Sequence, residues 1–111
     1  MSDWGILFTN QAEDDLRGIY EYIALTLLEP VTAKDLTQRI VKQIFKLKVS
    51  PQRHAVYPKN PWKSRGLRRV NVGNYAIFFV IIENTQTVVV IRIMYGGRNI
   101  ERILDDTPDI S

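Results

Sequence analysis

Five side chains of this 111-residue sequence have the composition of a phosphate-handling site: Arg65, Arg68, Arg69, Arg98 and Tyr95. Guanidinium groups stabilise the charge that builds on a phosphate when a 2′-oxygen attacks it. A tyrosine acts as the base for that attack only where nearby cations lower its pKa from about 10. Tyr95, close before Arg98, has such neighbours in the chain. Arg92 does not join them. Side chains alternate with a period of two along a strand, so Arg92 and Tyr95 point to opposite faces unless a bulge intervenes. The plainer role for Tyr95 is a packed aromatic at a strand end, and that role is preferred.

Other chemistries are scarce. The chain has no cysteine, which removes thiol catalysis, thiolate metal sites and disulfides. His54 is the only histidine, and a lone histidine in a loop is expected to be a surface residue rather than a base. No phosphate-binding loop or dinucleotide fingerprint occurs, because Gly73, Gly96 and Gly97 have neither spacing. Asp14-Asp15 and Asp105-Asp106 are adjacent pairs. Neighbouring helical positions diverge by about 100°, so they are read as complement to a helix dipole and as a solvated tail, not as catalytic dyads. No metal or cofactor is expected, and the five residues above stand as candidates without assigned roles.

These side chains must be positioned by the stretch from Leu67 to Arg102. Leu67 to Val72 alternates, Tyr75 to Ile82 is apolar at both parities, and Val88 to Tyr95 is rich in β-branched residues. Gly73-Asn74 between the first two is a hairpin signal, since both residues tolerate positive φ. The stretch predicts a three-stranded antiparallel meander whose central strand is covered on both faces. Upstream, Gly5 to Phe8 reads as a short first strand. Ala12, Leu16, Ile19, Tyr20, Ile23 and Leu27 make a helical stripe over about Gln11 to Leu28, with Thr9 or Asn10 as cap and Asn10 with Glu13 as a capping box. Pro30 opens a second helix through Ala33, Leu36, Ile40, Ile44 and Leu47, ended by Ser50-Pro51. The short link makes these two a hairpin packed on one face of the sheet. Gln52 to Gly66 is loop-like. Trp62 within it, among Lys59, Lys63 and Arg65, is read as a hydrophobic plug in preference to a base-stacking platform. Arg98 to Leu104 predicts one helical turn packed through Ile100, Ile103 and Leu104, and residues 105–111 a frayed tail. The class is α+β, one domain over residues 1–111.

Charge is unevenly distributed. Residues 1–35 hold seven acids and two bases, residues 36–82 hold ten bases and no acid, and residues 83–111 hold three bases and five acids. The net of +3 therefore hides a basic centre suited to a polyanion or an acidic protein partner. The N-terminal stretch lacks the basic start and long apolar run of a signal peptide, and no apolar run approaches the roughly 18 residues of a membrane span. A cytoplasmic protein without membrane contact is expected.

The order of elements, with three segments that carry it, resembles the RelE/ParE superfamily of bacterial toxins from toxin–antitoxin modules. The segments are AEDDLRGIYEYIA (Ala12 to Ala24), RGLRRVNVGNYAIFFVI (Arg65 to Ile81) and VVVIRIMYGGRNIERIL (Val88 to Leu104). The resemblance implies a growth-inhibiting toxin of a plasmid-stabilisation type, neutralised by a cognate antitoxin whose binding segment is often acidic. RelE-like members cleave mRNA on the ribosome; ParE-like members inhibit DNA gyrase instead. RelE-like nucleases usually carry an arginine early in the third strand, where this chain has Ala76. ParE-like chains usually close on a His-Gly pattern followed by arginine, where this chain has Tyr95-Gly96-Gly97-Arg98-Asn99, with tyrosine in place of histidine. The resemblance therefore leans to the ParE side. A ribosome-dependent endoribonuclease is the alternative, and a non-toxic antitoxin-binding module a third.

Overall fold

The computed structural model describes residues 3–97 and 100–107. The elements run β1 (Gly5–Phe8), α1 (Asn10–Glu21), a π-helical turn (Tyr22–Thr26), α2 (Pro30–Phe45), short 3-10 turns at Lys46–Lys48 and Pro51–Arg53, β2 (Arg68–Val72), β3 (Tyr75–Ile82), β4 (Thr87–Tyr95) and α3 (Ile100–Asp105). The sheet order is β1-β4-β3-β2, with β1 parallel to β4 and the other pairs antiparallel. The expected meander is present, and the first strand completes the sheet beside its last.

Both faces of β3 are covered, as its apolar run requires. Ile77 and Phe79 pack beneath the helical hairpin with Ile40, Ile44 and Leu47 of the α2 region. Ala76 and Phe78 face the opposite side, under Tyr57, Trp62 and Leu104 from the long loop and α3. All four β3 residues are fully buried. Trp62 is the buried plug the sequence suggests, 5% exposed, with the Arg65 guanidinium 4.8 Å from its ring centre.

Helix starts and stops differ from expectation in instructive ways. Thr9, not Asn10, caps α1: its Oγ1 accepts the Ala12 N–H at 3.0 Å while its hydroxyl donates to the Ile91 carbonyl at 2.8 Å. Thr9 can satisfy helix and sheet at once, and Asn10 joins the first turn. The regular helix also ends earlier than Leu28. It widens into the π-helical turn after Glu21, and Leu28 sits at φ 57 before Pro30 restarts the chain as α2. A non-glycine residue with positive φ breaks a helix sharply.

Asp15, contrary to expectation, does not serve the helix dipole. β1 stops at Phe8, opposite Val90, so the second half of β4 has no strand partner on that side. Asp15 fills the gap, accepting the Ile93 N–H at 2.9 Å and both Arg92 Nε and Nη2 at 2.7 and 2.9 Å. Thr107 accepts a third Arg92 hydrogen bond at 3.2 Å and donates to the Ile103 carbonyl. The expected frayed tail is therefore anchored at Thr107, which is buried, and Asp105 ends α3; residues 108–111 lie outside the described residues.

Candidate functional site

The candidate residues are placed by the edges of the sheet. On β2, Arg68 pairs across to Phe79 and Arg69 to Phe78, so the two adjacent arginines belong to opposite faces. Arg68 Nη1 is held by the backbone carbonyls of Gln52 and His54 and ties the long loop to the sheet. Arg69 lies on the other face, with Nε donating to Asn71 Oδ1 at 2.9 Å and its guanidinium 5.6 Å from the Phe78 ring centre. Arg65 belongs to the loop beside Trp62. Arg98 lies outside the described residues.

Tyr95 ends β4, 46% exposed, and meets Tyr75 edge-to-face with ring centres 5.7 Å apart. Its ring rests against Gly97, where a Cβ would fall 2.5 Å from the ring. The bulge in β4 opposite Phe78/Phe79 lies before Arg92, so the alternation between Arg92 and Tyr95 is kept and the two stay on opposite faces. Of the described candidates, the structure brings together Arg69 and Tyr95. They line one shallow depression with Asn71, Gly73, Asn74 and Gly96.

That depression continues around the β2–β3 turn into a second, lined by Arg39 and Lys42 of α2 and by Lys46 of the 3-10 turn that follows it. These three recur at helical spacing on one side of α2 and its continuation, a signal present in the sequence but unused, because nothing there shows that this side meets the Gly73 turn. Among the described residues, no carboxylate reaches ion-pair distance of Arg39, Lys42, Lys46 or Arg69. Lys59, by contrast, pairs with Glu101. The result is a group of four cations with no carboxylate at ion-pair distance among the described residues.

His54 is not the surface residue expected. It is half-buried, edge-on to Phe79 at 5.9 Å, with Nε2 buried and unpartnered. Burial, then the charges of Arg53 and Arg68, lower its pKa and favour the neutral ring. Burial also raises the Tyr75 phenol, helped by Tyr95 and Tyr22. Among the described residues, no group of three or more His, Cys, Asp or Glu is placed to hold a metal ion. No helix among them is long and apolar enough to cross a membrane.

The fold has close counterparts among solved structures. A chain of the chromosomal ParDE toxin–antitoxin system from P. aeruginosa superposes with a TM-score of 0.68 at 23% identity, covering 83% of this chain and 95% of that one. A chain of the RelBE2 toxin–antitoxin complex from Mycobacterium tuberculosis gives 0.64 at 21%, covering 86% and 93%. A mutant E. coli RelE toxin in the free state gives 0.61 at 13%, covering 96% and 95%. Among curated proteins, none matches the sequence. Residues 6–100 match the family described as the ParE toxin of the type II toxin–antitoxin system parDE. With that match spanning most of the chain, the protein belongs to the ParE toxin family of type II toxin–antitoxin systems.

Proposed function

We propose that this toxin arrests growth by acting on DNA gyrase, without cutting RNA, and that a cognate antitoxin in the cytoplasm holds it in check. The observation that carries the reading is Ala76. Where the resemblance puts a phosphate-facing arginine in RelE-like nucleases, this chain has a methyl group, fully buried against Met94 and beneath Leu104. A cation cannot occupy that position without disrupting the core. The divergence of Arg68 and Arg69 to opposite faces supports the same conclusion, because paired phosphate clamps must converge. The acid-free rim formed by Arg39, Lys42, Lys46 and Arg69 supplies the complementary surface for an acidic protein segment.

Expression of the chain alone, with plasmid supercoiling and mRNA ends followed together, tests this. Lost supercoiling with intact mRNA is expected; translation arrest with supercoiling unchanged overturns it. One observation favours the nuclease alternative: Arg69 and Tyr95 line the same depression. If mRNA is cut, the cuts should disappear in Tyr95→Phe combined with Arg98→Ala.

A further inference from the structure

A cleft of about 620 Å³ lies between α1 and the ends of β3 and β4, and shares Tyr95 with the basic depression. Tyr22, Tyr75 and Tyr95 line it, with Asp14, Asp15 and Gly18 from α1. No lysine or arginine does so among the described residues, although the chain carries a net charge of +3.

Gly18 is the anomaly. It lies inside α1, is exposed, and a Cβ built there would meet nothing within 4 Å. Among helix-interior residues only proline is worse than glycine, so the fold loses stability here and gains no packing in return. What glycine does provide is a bare stretch of helix backbone beside three phenol rings. Close approach of another molecule to the backbone is one of the uses glycine serves.

The electrostatics indicate which molecule. Ring faces present the negative part of the aromatic quadrupole. The last turn of α1 contains no basic residue to offset the negative end of its dipole. Asp15 is committed to Arg92, but Asp14 is paired, among the described residues, with Arg17, in a pair that is 65% exposed on both sides. Such a pair is weak and readily exchanged.

We propose that this cleft receives one cationic side chain, an arginine or lysine, presented by a bound protein segment. The guanidinium or ammonium group lies against the phenol faces and beside Asp14, and its aliphatic stem passes over Gly18. The site is independent of which cellular target the toxin poisons.

Titration of the intact chain, with ring-labelled tyrosines observed by NMR, tests this using N-acetyl-arginine amide, its neutral isostere N-acetyl-citrulline amide, and N-acetyl-norleucine amide. The arginine amide should shift the Tyr22, Tyr75 and Tyr95 ring signals and bind roughly fivefold more tightly than citrulline, as a cation–π contact at a partly exposed site implies. Gly18→Leu should weaken this binding at least about tenfold while the thermal melt is kept, since leucine favours the helix and the space is open. Tyr22→Leu, at an exposed ring, should also weaken it. Equal binding of norleucine or citrulline overturns the proposal. So does undiminished binding in both variants, or the absence of any ring shift.

Discussion

Phe78 at the centre of the sheet has an arginine on either side, Arg69 on β2 and Arg92 on β4. The two share a row and differ in everything else. Arg92 is largely buried, locked by a bidentate Asp15 and by Thr107. Arg69 has a neutral partner in Asn71, an aromatic face, and the company of other unpaired bases. The cause is topological. β4 loses its strand neighbour after Phe8, so α1 comes down against its edge and brings a carboxylate; β2 is the outer strand, and what approaches it is the basic side of α2. One arginine is consumed by folding and the other is displayed.

The largest test of that contrast is Asp15→Ala. It leaves the Arg92 guanidinium buried without counter-charge and the Ile93 N–H without an acceptor, and should cost about 3–5 kcal/mol in chemical denaturation. A loss below about 1 kcal/mol would make the Arg92 site no more structural than the rim. Leu104→Ala comes next. It opens a cavity over Ala76 and Phe78 and loosens the segment that carries Thr107, with an expected loss of about 2–4 kcal/mol. Replacing Arg69, Arg39, Lys42 and Lys46 together by alanine should change stability by no more than about 0.5 kcal/mol for each site. The same variant should elute from a heparin column at clearly lower salt; unchanged elution would remove the rim as a polyanion surface.

The smallest effect concerns Arg68, the third arginine of this region, and the histidine beside it. His54 has a lowered pKa in the folded state, so as the pH falls the unfolded chain takes up its proton first. Its contribution to stability is complete above the ordinary value of 6.5 and is lost as the pH drops from there through the lowered folded value. Thermal melts across that window should show a decline that His54→Gln flattens. An identical slope in the variant would mean that other groups cause it.

Much of this was legible in the chain. The two-parity apolar run of β3 requires cover on both faces, Gly73 marks its hairpin, and Pro30 marks the helix restart; each follows from local chemistry. The candidate site was only partly legible. Arg65, Arg68, Arg69 and Tyr95 are adjacent or nearly so along the chain or its meander, but the loop's own carbonyls hold Arg68, and strand alternation sets Arg69 on the Arg92 face, opposite Tyr95, so that these two share only the depression at the Gly73 and Gly96 turns. Asp15 looked like a helix-dipole residue because nothing local announces that β1 is four residues long and leaves β4 unpaired. His54 looked exposed because a loop's burial depends on what it folds over.

By itself, then, the amino-acid order determined the elements and the absence of thiol chemistry, because period, turn residues and composition act over a few neighbours. It also determined the charge imbalance, which is a sum over positions and needs no coordinates. Only the tertiary structure decided which cations are neutralised, that Ala76 is sealed in the core, and that Gly18 opens onto three tyrosines. Each of these depends on contacts between residues far apart in the chain, where strand order and helix docking, not local preference, set the distances.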